Sequence, residues 1–206
     1  MKSAMVLGAT GLVGRTLVNM LLQDRRYNEV TCLVRKPLSS QMFYDPHNRL
    51  KPVVIDFENL QDYQGYFSVN HVYCCLGTTL KKAGSKKAFR RVDFEYVHVA
   101  AQLTRAQRAD SFVWISSVGA DAKSSNFYLR VKGELENAIM RMPQLPNASA
   151  VRPSLLLGDR GEPRLLEDVA QKTAPIWQSI MKGPLKKYRP VAPIDVARNM
   201  MSLQKW

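Results

Sequence analysis

Short apolar runs alternate with amphipathic stretches along most of this chain, a pattern that predicts repeated strand–helix units around a parallel sheet. Ala4–Leu7, Val30–Val34, Pro52–Ile55, His71–Leu76, Phe112–Ile115 and Ala148–Val151 read as strands. Most are near-continuous apolar runs, as expected for strands buried on both faces. Between them, Leu12–Gln23 carries Leu12, Val13, Leu17, Met20 and Leu21 on one helical face. Lys86–Ala109 reads as one long helix, with Phe89, Val92, Tyr96, Val99, Leu103 and Ala106 at three- and four-residue intervals. Phe127–Met142 is a further helix, and Glu58–Tyr66 a weak helix or loop. The order is βαβαβ twice over, which specifies an α/β, doubly wound parallel sheet of six or seven strands with right-handed crossovers. After Pro153 the pattern loosens. Glu162–Lys182 and Ile194–Leu203 each have room for a helix, so a short C-terminal helical segment is expected. Residues 1–206 read as a single domain, with 153–193 as a minimal substrate-side segment.

Composition narrows the function classes. No apolar run reaches the roughly 20 residues that span a bilayer. The apolar N-terminal run is too short for a signal peptide, so a cytoplasmic protein without membrane association is expected. Cys32, Cys74 and Cys75 lie in predicted strands and read as small buried hydrophobes. Adjacent Cys74 and Cys75 would face opposite sides of a strand, and no metal site is expected. The net charge of +13 fits nucleic acid, a membrane surface or anionic small molecules. The cations are dispersed and no nucleic-acid motif accompanies them. Phosphorylated small molecules are therefore the expected partners, and nucleic acid is not.

Gly8-Ala9-Thr10-Gly11-Leu12-Val13-Gly14 lies directly after the first strand and opens the first helix. In that position the glycines permit a tight turn, backbone approach to a pyrophosphate and close helix–sheet packing. The helix N-terminus adds free N–H groups and partial positive charge. Gly8, Thr10, Gly11, Leu12, Val13 and Gly14 thus form a predicted dinucleotide loop of a Rossmann domain. The second strand ends in Arg35-Lys36, where NAD-binding domains place a carboxylate for the ribose hydroxyls. Two cations there favour the extra phosphate of NADP(H) over NAD(H), with Arg35 able to grip it bidentately. Asp56 and Phe57 after the third strand are candidates for the adenine end. Leu76, Gly77, Thr78 and Thr79 follow the fourth strand, in the crevice where ligands of such sheets bind.

Ser116-Ser117 ends the fifth strand, Tyr128 follows eleven residues after Ser117, and Lys132 lies four beyond Tyr128. Helical positions i and i+4 share a face, so Tyr128 and Lys132 can reach one crevice. A tyrosine is a weak acid, with an ordinary pKa of about 10, and a nearby ammonium favours its phenolate. Such a tyrosine can give a proton to a developing alkoxide or take one in reverse. Lys132 would also hold the nicotinamide ribose, and a serine would bond the substrate oxygen. Ser117 is the first candidate, with Ser116 left open. Pro153 and Ser154, closing the sixth strand, would lie beside the carboxamide.

These segments, together with Arg91–Val97, Ser116–Asp121, Ser124–Glu134 and Arg152–Ser154, resemble the atypical or extended short-chain dehydrogenases/reductases related to the Tat-interacting oxidoreductase-like proteins. The resemblance covers nearly the whole chain. It implies NADP(H) binding and a Ser-Tyr-Lys set on Ser117 (or Ser116), Tyr128 and Lys132, and it supplies no substrate. Two readings follow. One is an NADP(H)-dependent oxidoreductase moving hydride to or from a small carbonyl or alcohol. The other is a regulatory or scaffold protein that holds NADP(H) without turnover for a protein partner. A monomer and a homodimer both fit the sequence.

Overall fold

A computed structural model of the chain describes residues 1–145, 147–154 and 190–206. The strands are β1 (Lys2–Leu7), β2 (Tyr27–Val34), β3 (Leu50–Val54), β4 (His71–Cys74), β5 (Ser111–Ile115) and β6 (Ala148–Val151). They form one parallel sheet in the order β3-β2-β1-β4-β5-β6. The order reverses between β1 and β4, so the ligand crevice of a doubly wound sheet falls at their carboxyl ends. The six strands expected are present, with bounds shifted by up to three residues. Pro52, which cannot donate to a ladder, sits on edge strand β3 where that is tolerated.

Alternation along the strands sends apolar side chains to both faces. Ala4 and Val6 of β1 pack with Val13, Leu17 and Leu21 of α1 (Leu12–Gln23) and with Val196 and Met200 near the C-terminus. Met5 and Leu7 face the other way, among Phe67, Val97, Ala101, Trp114, Leu135 and Ile139. Cys74 lies in this second core, whereas Cys75 packs against the first. Burial pushes the thiols of Cys32 and Cys74 up to about 12. The opposite-face reading of the cysteine pair holds.

Phe57–Phe67 is a 3₁₀ segment, where the sequence suggested a weak helix or loop. The predicted long helix is interrupted. It consists of α3 (Lys86–Arg90), a π-turn (Arg91–Glu95) and α4 (Tyr96–Ala106), preceded by the single turn α2 (Leu80–Ala83). The π-turn inserts a residue into the helical phase. The buried positions are therefore Phe89, Asp93, Val97, Ala100, Ala101, Leu103 and Thr104, while Val92, Tyr96 and Val99 are only half-buried. α5 spans Phe127–Met140, and α6 (Pro193–Ser202) packs on α1. The expected helix at Glu162–Lys182 lies outside the described residues, as does nearly all of 153–193.

At the amino ends of the strands, His71 is wholly buried. Its Nε2 lies 2.8 Å from the Lys205 carbonyl oxygen, which can only accept, so Nε2 carries the hydrogen. Nδ1 then accepts from the Tyr27 hydroxyl at 2.7 Å, and that oxygen lies 2.8 Å from the Tyr73 hydroxyl. Burial holds His71 below the ordinary histidine value, and His98 on α4 is shifted the same way for the same reason. The fold therefore holds neutral imidazoles that the unfolded chain protonates below about 6.5. Stability is fully present above that pH and falls as pH drops through the window beneath it. Thermal unfolding between pH 7.5 and 5 should show this fall, and His71→Gln should flatten it. A wild-type midpoint unchanged over that range would contradict the assignment.

Candidate functional site

The site is built where β1 and β4 deliver their carboxyl ends. Gly8 has φ +81°, a left-handed conformation that glycine adopts without strain. A Cβ there would stand 2.6 Å from the Cys75 carbonyl carbon and oxygen, so the loop rests on the backbone leaving β4. At Gly14 a Cβ would lie 2.1 Å from the Gly8 oxygen, and its absence lets α1 close on the loop. Gly11 is the N-cap residue of α1. No side chain caps it and no acidic residue stands in the first turn. The first-turn N–H groups and the positive end of the helix dipole are left to face an anion. Thr10 and Gly11 are exposed, Leu12 is half-buried, and Val13 is buried, so Val13 can offer only its backbone.

Strand register fixes the neighbouring candidates. Leu7 pairs with Leu33, which sets exposed Arg35 and Lys36 just beyond the level of Gly8. Val34 pairs with Val54, and Asp56 follows at the same end of the sheet. Asp56 caps the 3₁₀ segment, accepting from the Glu58 N–H at 3.0 Å and the Asn59 side-chain amide at 2.8 Å. Phe57 is buried against the Tyr96 ring and serves the core. Beyond β4, Leu76 is half-buried and Gly77 exposed. Thr79 begins α2 by accepting the Lys82 N–H at 3.1 Å.

The chemistry-bearing residues come from β5 and α5. Ser116 is buried, its N–H bonded to the Val151 oxygen at 2.7 Å, and its hydroxyl has no partner among the described residues. Ser117 is half-buried, with its hydroxyl 3.3 Å from the Val118 oxygen. The Val118 N–H bonds the oxygen of buried Pro153 at 2.9 Å, which ties the ends of β5 and β6 together; Ser154 beside it is half-buried. Asn126 caps α5 through the Leu129 N–H. At Gly133 a Cβ would lie 2.2 Å from Asp121 and Ala122 backbone atoms, so α5 packs directly under the loop that follows β5. Tyr128 is half-buried, its ring 5.7 Å from that of Phe89.

Lys132 is almost fully buried, and its ammonium stands 2.8 Å from Asp93 Oδ1 and 3.5 Å from the Ile115 oxygen. It would lie 4.0 Å from a Cβ at Gly77. Asp93 Oδ2 accepts the Thr78 N–H at 2.8 Å. Lys132, Gly77, Thr78 and the end of β5 thus converge. Among the described residues no hydrogen bond joins the Tyr128 hydroxyl to Ser117 or Lys132. Such contacts are commonly loose before substrate binds. Asp93 is the residue that the sequence reading of the site passed over. Its available signal was that it is the first carboxylate, four residues after Phe89, to follow a stretch from Lys81 to Arg91 that is cationic wherever it is charged. A concavity of about 540 Å³ lies elsewhere, at the amino ends of the strands among Lys2, Arg105, Arg108 and Trp206, and none of the predicted site residues lines it.

Residues 8–159 match the protein family described as NAD(P)H-binding. The chain belongs to this NAD(P)H-binding family. Protein HTATIP2 of Rattus norvegicus is 39% identical over 172 residues, covering 83% of this chain and 69% of its own. Protein FMP52-1, mitochondrial, of Scheffersomyces stipitis is 34% identical over 163 residues, covering 77% and 69%. Among solved structures, a UDP-N-acetylglucosamine 4-epimerase from Methanobrevibacter ruminantium superposes with a TM-score of 0.72 at 13% identity, over 97% of this chain and 72% of that one. The PhqB reductase domain from Penicillium fellutanum gives 0.71 at 15% identity, over 98% and 64%. These two share the fold. The family membership bears out the resemblance read from the motifs and the NAD(P)H-binding, oxidoreductase-like fold. The expected cytoplasmic location is overturned, because several fungal relatives are named mitochondrial proteins. Among the described residues no helix is long and apolar enough to cross a membrane.

Proposed function

We propose that this chain, acting as one domain, binds NADP(H) and reduces a small carbonyl compound. The observation that carries the proposal is Lys132, buried directly beneath Gly77 at the crevice and one helical turn from Tyr128. Bound NADPH would supply the hydride that reaches the carbonyl carbon. The protein's part is to hold and to protonate. The Gly8–Gly14 loop and the α1 N-terminus cradle the pyrophosphate, and Arg35 with Lys36 meets the 2′-phosphate. Asp56 and the Phe57 backbone flank the adenine end, and Leu76, Gly77, Thr78 and Thr79 line the path between the two halves. Lys132 holds the nicotinamide ribose, with Pro153 and Ser154 beside the carboxamide. Ser117 steadies the substrate oxygen, and the Tyr128 hydroxyl gives it a proton, leaving an alcohol and NADP⁺. Ser117 is preferred to Ser116 because it is the more exposed of the two.

The test is thermal unfolding of the full chain with NADPH and with NADH, followed by a screen of small aldehydes and ketones. NADPH at a hundred times its Kd should stabilise by about 2.7 kcal/mol. Stabilisation by neither nucleotide would overturn the proposal. Arg35→Ala should weaken NADPH about 10- to 100-fold while NADH changes little, since one charge-assisted bond is worth about 1.5–3 kcal/mol. Equal losses for the two nucleotides would remove Arg35 from the phosphate site. A second reading, NADP(H) held without turnover, draws on the Asp93 pairing of Lys132 and the absence of a Tyr128 bond to it. Tight NADPH binding with no substrate in the screen would favour that reading.

A further inference from the structure

The concavity at the amino ends of the strands, opposite the proposed nucleotide crevice, gathers cations from separate elements. Lys2 comes from β1, Arg105 from the last turn of α4, Arg108 from the turn after it, and Lys205 from the segment after α6. A helix C-terminus gains from a cation such as Arg105, but that gain does not account for Lys2 or Lys205. Asp110 is the one acidic side chain in the lining, and it is already engaged. Its Oδ2 accepts from Lys2 Nζ at 2.8 Å and from Asn70 Nδ2 at 2.9 Å. Among the described residues, no hydrogen bond or ion pair joins the side chain of Arg105, Arg108 or Lys205 to a partner. Even with the α-carboxylate of Trp206 counted, cations outnumber carboxylates in the lining. Like charges gathered this way repel, and a bound anion would relieve them.

The wall around them is strained and tied down. Arg108, Gln144 and Asn147 have φ of +54°, +60° and +41°. Three of the four non-glycine residues with positive φ among the described residues therefore line this one cavity. Backbone of that kind is uncommon and gathers at ligand clamps. At the end of α4, the Arg108 N–H bonds the Arg105 oxygen at 3.1 Å and the Ala109 N–H bonds the Thr104 oxygen at 3.2 Å. Arg108 thus holds the left-handed position at which such helix ends favour glycine. Asn147 Nδ2 donates to the Asp110 carbonyl oxygen at 2.7 Å, and the Asp110 N–H to the Asn70 oxygen at 2.7 Å, so the loops that carry the lining are fixed to one another.

We propose that this cavity is a second anion site, taking a small molecule that carries two or more phosphate groups. The Arg105 and Arg108 guanidinia can each grip a phosphate bidentately, and the Lys205 ammonium adds a point charge. A volume of about 540 Å³ suits a small ligand. The cations ring a cavity of limited extent rather than run along a stripe, which favours a compact anion over a nucleic-acid backbone.

The test is titration calorimetry of the full chain with inorganic tripolyphosphate at physiological ionic strength, where distant surface charges are screened. Arg105→Ala/Arg108→Ala should weaken binding about 10- to 100-fold. Lys51→Ala/Lys87→Ala removes the same charge from exposed positions elsewhere and should change affinity by less than about threefold, as should Arg35→Ala. Arg108→Gly should move stability and binding in opposite directions. Glycine suits the positive φ, so the unfolding midpoint should rise by about 2–4 °C while tripolyphosphate binds more weakly. No binding to wild type, or full affinity in R105A/R108A or in a stabilised R108G, would overturn the proposal. An equal loss in K51A/K87A would show attraction to net charge alone, and a loss in R35A would place the probe in the nucleotide crevice; either result sinks it. So would tighter binding of a single-stranded oligonucleotide through the same arginines. None of these outcomes bears on Tyr128 or Lys132, so the second site and the reductase reading can fail separately.

Discussion

Gly8→Ala is expected to abolish NADPH binding and to lower the thermal unfolding midpoint by roughly 6–12 °C. Two costs combine at this position. The backbone has φ +81°, where an alanine is disfavoured by roughly 1–2 kcal/mol. The new Cβ would also lie 2.6 Å from backbone atoms of Cys75, which cannot swing aside as the end of a side chain could. Overpacking of that kind adds about 1–3 kcal/mol, giving a loss near 3 kcal/mol. Relief of the contact would push the glycine loop away from the β4 end and spoil the first-turn N–H groups as an anion cradle. Gly65→Ala is the control, since a Cβ there meets nothing within 4 Å. Its midpoint should move little, and a Gly8→Ala protein that melts like it would show that the loop does not rest on β4.

The features legible in the sequence are those fixed by local pattern. The Gly8–Gly14 loop, the strands and the Tyr128–Lys132 spacing follow from residue order and helical or strand period. The interruption between α3 and α4 did not follow, because the long-helix reading assumed a constant 3.6-residue period. Phe89, Asp93, Val97 and Ala101 are buried at strict four-residue steps. On a regular α-helix each such step runs about 40° past a full turn, so the set would drift off any one face. The π-turn takes up part of that drift. A reader requiring apolar residues on the buried face assigns Val92 to it and leaves Asp93 outside, one position out of phase. Asp93 itself becomes interpretable only when tertiary contact sets Lys132 against it.

Site candidates separated according to whether their role depends on backbone or side chain. Gly8, Gly11 and Gly14 act through missing side chains, and the close approaches they permit can be measured directly. Phe57 reads in sequence as a residue for the adenine end, yet its ring is taken by the core against Tyr96, as hydrophobic burial favours for so large an apolar group. Asp56 is partly committed to capping its own 3₁₀ segment, though it remains exposed. All of these lie at the carboxyl end of the sheet, where sequence position put them. That position did not reveal which side chains are already engaged, since their partners lie on other elements or on the following turn.

Tyr128→Phe is expected to reduce carbonyl turnover about 10²- to 10⁴-fold and to leave NADPH binding within about twofold. The substitution removes one oxygen and keeps the ring, whose packing on Phe89 should be preserved. Because Tyr128 is only half-buried and its hydroxyl has no hydrogen bond to Ser117 or Lys132, little stability should be lost. The proposed ground-state binding groups for the nucleotide are the Gly8–Gly14 loop, Arg35 and Lys132, and the variant retains them all. An effect on kcat with unchanged nucleotide affinity is the signature of a group that acts in the transition state. Lys132→Met should behave differently. It removes the proposed ribose ligand and the ammonium that pairs with buried Asp93, so both nucleotide affinity and stability should fall, stability by about 3–5 kcal/mol. The two variants together separate proton donation from cofactor holding. Turnover that survives Tyr128→Phe would exclude Tyr128 as the acid and leave Ser117 or solvent to supply the proton.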